Sequence, residues 1–151
     1  MIISHIRSIS AKEDEKIMVE QSLTKKSYIL VDYENVQPVL SQHIESDKTH
    51  FIIFVGSHQS RISYELAASL QPLGKKVQYI KMNQGGRNSL DFHIAYFIGK
   101  LSTEDKQANF VIISNDKGFD PLVKYLNRQD VMIQRLPSES TASTSTSNEL
   151  T

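Results

Sequence analysis

Three aspartates, Asp32, Asp91 and Asp116, are the residues of this chain whose types and settings could do chemistry together. Asp32 ends the apolar run Tyr28-Ile-Leu-Val. Asp116 follows Phe110-Val-Ile-Ile-Ser114-Asn115. Asp91 opens a helix-patterned stretch from about Asn88 to Leu101. Carboxylates that converge on a small volume repel one another, and a cation is the usual reason for such a cluster. Their oxygens suit a hard dication: Mg²⁺ takes one or two carboxylates and retains waters, and Mn²⁺ accepts similar ligands. A metal so held activates water, orients a phosphate and stabilises charge on the leaving oxygen. The expected chemistry is hydrolysis of a phosphodiester.

Each acid also has a structural reading. Asp91 could complement a helix dipole, Asp120 could cap the helix that begins at Pro121, and Asp32 could organise the turn after it. Capping, however, does not require three carboxylates in one crevice.

The elements that must position these residues alternate along the chain. Strand runs fall at Tyr28–Tyr33, Phe51–Val55, Lys76–Ile80, Phe110–Ser114 and Val131–Gln134. They are short, continuous and rich in Val, Ile, Phe and Tyr, as suits parallel strands buried on both faces. Between them lie helical segments from Val36 to about Ile44, over Arg61–Leu70, over Leu90–Leu101 and over Pro121–Leu126. Ile62, Leu66 and Leu70 share one stripe, as do Leu90, Ile94, Phe97 and Leu101. Five such units predict an α/β, three-layer Rossmann-like fold with a parallel five-stranded sheet and helices on both faces. The expected strand order is 3-2-1-4-5, which makes strands 1 and 4 neighbours at a switch point where ligands bind. Asp32 and Asp116 would then lie at adjacent carboxyl ends, with Asp91 in the first turn of the helix that returns to strand 4.

Around this core, residues 1–27 read as a polar, partly helical extension, 28–136 as the α/β domain and 137–151 as a disordered tail. Met18 offers an alternative start of translation. Nine of the fourteen residues from Ser138 to Thr151 are Ser or Thr, too polar to offset the cost of ordering the chain.

At 151 residues the chain suits one domain. Seventeen basic residues balance seventeen acidic ones, so net charge supplies neither a nucleic-acid footprint nor a membrane signal. A phosphate bridged by metal needs less help from Lys and Arg, which reconciles this neutrality with phosphodiester chemistry. Cysteine is absent, which excludes thiolate metal sites, disulfides and cysteine nucleophiles. No run approaches the ~20 apolar residues of a membrane helix, and the N-terminus has no secretory pattern. The expectation is a cytoplasmic protein with no membrane partner. The fold permits a homodimer without specifying one.

Three motifs carry a family resemblance: Val31-Asp32-Tyr33-Glu34-Asn35, Gly86-Arg87-Asn88-Ser89-Leu90-Asp91 and Ser114-Asn115-Asp116-Lys117-Gly118-Phe119-Asp120-Pro121-Leu122. Together, over roughly Tyr28 to Leu136, they resemble the PIN-like nucleases of the NYN branch. The resemblance implies an Mg²⁺- or Mn²⁺-dependent ribonuclease, and the substrate expected under that hypothesis is single-stranded RNA. It implies that Asp32, Asp91 and Asp116 bind metal, that Asn35 orients the first acid or the phosphate, and that Ser114 supports the third acid. One position departs from the family pattern. An acid is expected two residues after Asp116, where Gly118 stands, and Asp120 is the substitute ligand on offer. A pocket that binds RNA, or mediates association, without turnover is the alternative that this departure favours.

Other residues frame the crevice. Arg87 and Asn88 could hold a phosphate or a base edge, or could form a solvated loop with Asn88 or Ser89 as N-cap. Asn115 lies beside Asp116, and Lys117 and Arg61 could join a basic rim. Lys81 could do the same or be solvated. His58 could line the crevice, and Tyr33 could stack on a base or pack in the core. No nucleotide-binding glycine loop is present.

Overall fold

The computed structural model describes residues 2–138. Five strands, β1 (Ser27–Asp32), β2 (Thr49–Val55), β3 (Val77–Lys81), β4 (Asn109–Ile113) and β5 (Met132–Leu136), form one sheet in the order β3-β2-β1-β4-β5. Every pairing is parallel. The expected α/β fold, its strand order and its helix-covered sheet are all present.

Because strand side chains alternate in direction, the continuous apolar runs feed two cores at once. One face carries Leu30, Ile52, Phe54, Phe110 and Ile112. It packs against α3 (Ser89–Glu104) through Leu90, Ile94 and Ile98, and against Phe119, Val123 and Leu126 at and within α4 (Asp120–Arg128). The other carries Ile29, Val31, Phe51, Ile53 and Ile113 under Leu66 and Leu70 of α2 (Tyr64–Leu70), with Val36 and Leu40. The four-residue spacing of Leu90, Ile94 and Ile98 keeps one stripe of α3 on the sheet, and this fixes which end of α3 meets the strand ends.

Several expected boundaries shift. The second helix begins at Tyr64 rather than Arg61, because the Ser63 hydroxyl accepts from Leu66 N (3.2 Å) and caps it there. The helix expected from Val36 to Ile44 does not form, and only a 3₁₀ turn at Ser41–His43 is helical. Pro38 disfavours helical geometry at Gln37, and the stretch from Pro38 to Ile44 is too short to sustain a helix alone. Val36 and Leu40 are nonetheless buried.

The extension read as partly helical forms one helix, α1 (Ile2–Thr24), and its residues 9–20 are exposed. Among the described residues no helix is long and apolar enough to cross a membrane. The Ser/Thr-rich tail lies, from residue 139, outside the described residues.

Candidate active-site cleft

In the pairing of β1 with β4, Val31 lies opposite Ile113. The next residues, Asp32 and Ser114, therefore leave the sheet side by side at its carboxyl edge. The sheet grows toward β3 on one side and β5 on the other, so this is the switch point of the fold. A cavity of about 320 Å³ opens there. Four carboxylates line it, from Asp32, Glu34, Asp91 and Asp116. Asn35, Ser57, His58, Gln84, Asn88 and Ser89 supply further polar groups, and no lysine or arginine is among its described lining residues.

Asp32 is 4% exposed. Its Oδ2 accepts from the buried Ser114 hydroxyl at 2.8 Å, and its Oδ1 accepts from Asn35 N at 3.4 Å. Ser114 Oγ in turn accepts from Asp116 N at 3.0 Å. Asn35 Oδ1 accepts from Asn115 N at 2.9 Å, which ties the turn after β1 to the turn after β4. Asp116 Oδ1 accepts from Gly118 N at 2.7 Å and caps the 3₁₀ turn Lys117–Phe119. A side chain at Gly118 would begin 2.9 Å from that same oxygen and would require the Asp116 carboxylate to shift.

Electrostatics link the acids. Burial pushes the Asp32 carboxyl up to about 6. The Ser114 hydrogen bond opposes that rise, and the charges of Asp91 and Glu34 add to it. Asp91 is also raised, by burial first and then by Asp116 and Glu34. Each of these shifts marks a carboxylate that the fold disfavours in its charged form and that a nearby cation would favour.

The cleft gathers Asp32, Asp91, Asp116, Asn35 and Asn88, with Ser114 behind Asp32. Asn88 sits at φ 63° ahead of α3 and makes no side-chain capping bond. Asp120, the substitute fourth ligand, is elsewhere. Arg135 grips it through Nε–Oδ1 at 2.7 Å and Nη2–Oδ2 at 3.2 Å, and this pairing holds its carboxyl below the usual range. Arg135 also donates to the Ser114 carbonyl at 3.1 Å, so Asp120 and Arg135 brace the turn after β4 from outside the cleft. Asn115 is exposed and pairs with Ser138 through two hydrogen bonds. Arg87 and Lys117 do not line the cavity.

Tyr33 is 2% exposed and its hydroxyl accepts from Ser63 N at 3.2 Å, so it packs rather than stacking on a ligand. Lys81 is neither a phosphate contact nor merely solvated, since three backbone carbonyls take its ammonium. Glu34 is the cleft carboxylate missing from the expected ligand set. Its signal in the sequence is an acid two residues after Asp32.

The donor chemistry fits a hard dication, because carboxylate oxygens are what Mg²⁺ and Mn²⁺ take. The spacing is looser than a closed site. Among the described residues, no three acidic or histidine side chains converge closely enough to hold a metal ion.

A family model described as a PIN domain matches residues 26–136. Neither among curated proteins nor among solved structures does anything match the chain.

Proposed function

Because the chain belongs to the PIN-domain family, whose fold is of the nuclease type, we propose that it is a metal-dependent ribonuclease that hydrolyses phosphodiester bonds of single-stranded RNA. The observation that carries this reading is a switch-point cleft with four carboxylates and, among its described lining residues, no lysine or arginine. A phosphodiester is anionic and such a cleft repels it, unless a cation intervenes. In this reading Asp32, Asp91 and Asp116 hold Mg²⁺ or Mn²⁺, and Glu34 adds a fourth carboxylate. When bound, the cation supplies charge neutralisation and an activated water. Ser114 and Asn35 hold Asp32 in place, Ser114 also anchors the backbone at Asp116, and Asn88 faces the substrate. The motifs at Val31–Asn35, Gly86–Asp91 and Ser114–Leu122 support the narrower assignment to the NYN branch.

The test is cleavage of a single-stranded RNA oligonucleotide with Mg²⁺ or Mn²⁺ and again with chelator. Turnover is expected only with metal and is lost in Asp32→Asn and in Asp116→Asn. Wild-type rates in both variants would reject the ribonuclease.

A second reading has its own support. The acids do not close on a common point, Gly118 stands where an acid is expected, and Arg135 occupies Asp120. These features favour a module that binds RNA without cutting it. It would retain RNA in chelator and show no turnover with any divalent cation.

A further inference from the structure

One wall of the cleft is built with care that the acid cluster does not require. Lys81, at the end of β3, donates to the carbonyls of Gly56 (3.2 Å), Ser57 (3.1 Å) and Gln59 (2.5 Å). An ammonium has three donors, and all three are spent on one loop. Gln59 locks the same loop: its Oε1 accepts from Gly56 N at 2.8 Å and its Nε2 donates to Tyr33 O at 3.1 Å. On the far side Gly85 comes so close that a Cβ there would lie 3.0 Å from Ser57 Oγ and 3.3 Å from His58 Nε2. Two loops are thus pressed together and fixed, and they present Ser57, His58 and Gln84 to the cavity. The side chains of His58 and Gln84 make no hydrogen bond, ion pair or ring contact with another described residue.

The chemistry of this wall differs from that of the acids. It offers an imidazole, a hydroxyl and an amide, which can donate and accept, and no fixed cation. Nothing there offsets the charge of a phosphate beside four carboxylates, whereas a nucleobase needs no counter-charge: its edge takes hydrogen bonds from amide and hydroxyl, and its face stacks on a flat ring. We propose that His58, Ser57 and Gln84 form a nucleobase subsite that reads the nucleotide next to the cleaved phosphate, with Lys81 as the positioning residue of the loop. The assignment deepens the ribonuclease reading and rests on it.

Nucleoside 5′-monophosphates test the subsite without turnover, because they contain no phosphodiester. The full chain has five histidines, so His58→Gln identifies the His58 ring resonances by NMR. In Mg²⁺, titration with AMP, GMP, CMP and UMP is expected to shift those resonances to different extents for the four bases. Ribose 5-phosphate is expected to move the Asp91 amide and leave the His58 ring unmoved. His58→Ala is expected to weaken the best nucleotide roughly 5-fold, the scale of one stacked base. If the nucleotides move the Asp91 amide but not His58, or if ribose 5-phosphate moves His58 equally, the subsite is refuted and the ribonuclease reading stands. If no nucleotide moves either residue, both fall.

Discussion

Replacing Asp32 with Asn asks whether the cleft holds charge that the fold by itself disfavours. The carboxyl rises from 3.8 to about 6, burial being the largest cause. A rise of that size means that ionised Asp32 destabilises the fold by about 3 kcal/mol relative to its protonated form. Solvent at the open mouth of the cleft screens part of this and leaves about 2 kcal/mol. Asn carries no charge, but its amide offers one acceptor where Asp32 offers two. The 2.8 Å bond from Ser114 is kept and the 3.4 Å bond from Asn35 N is given up, at a cost of about 0.5–1 kcal/mol. The variant is therefore expected to be more stable than the wild type by about 1–1.5 kcal/mol at neutral pH in chelator.

The pH dependence has a definite sign. The folded pKa lies above the unfolded one, so the stabilising contribution of protonated Asp32 is complete below about pH 3.8 and is lost as pH rises through about 6. The advantage of Asp32→Asn should fade as pH falls across this window and reverse at its acid end. Urea denaturation from pH 4 to neutrality in chelator measures it. Mg²⁺ at ten times its Kd should then restore about 1.4 kcal/mol to the wild type and much less to the variant. A variant less stable than the wild type at neutral pH in chelator would refute the reasoning, as would a difference that ignores pH.

Ser114→Ala strips the buried partner from both Asp32 Oδ2 and Asp116 N. It should destabilise by about 1–3 kcal/mol in urea denaturation and raise the Asp32 carboxyl further, as a carboxylate ¹³C titration would show. Calorimetric Mg²⁺ titration should weaken in Asp116→Asn and match the wild type in Asp120→Asn, since Arg135 holds Asp120 outside the cleft; equal losses would restore Asp120 as a ligand. Lys81→Met leaves three carbonyls without their donor, so amide exchange at Gly56 and Gln59 should accelerate while the β1 and β4 amides stay protected.

Much of this molecule is legible along the chain. Continuous Val-Ile-Phe runs mark strands buried on both faces, because no polar position is left to face water. Handed crossovers then leave few orders for five such strands, and the order that makes β1 and β4 neighbours brings the ends at Asp32 and Ser114 together. The spacing of Leu90, Ile94 and Ile98 likewise sets which face of α3 is buried, and with it the position of Asp91 at the cleft. The segment after Asn35 misleads because its apolar residues are buried without being helical, and Pro38 decides the matter locally.

What one-dimensional patterns could not settle is which polar groups meet. Asp116 and Asp120 are four residues apart on one turn, yet Asp116 lines the cavity and Asp120 turns outward. The cause is Arg135, which lies on a different strand and whose reach depends on the register of β4 with β5. Lys81 reads as a surface lysine until three carbonyls, on a loop fixed by Gln59 and Tyr33, surround it. Burial periodicity is a local property and travels with the sequence. Hydrogen-bond partnership depends on which chain segments become neighbours, and only the folded molecule decides that.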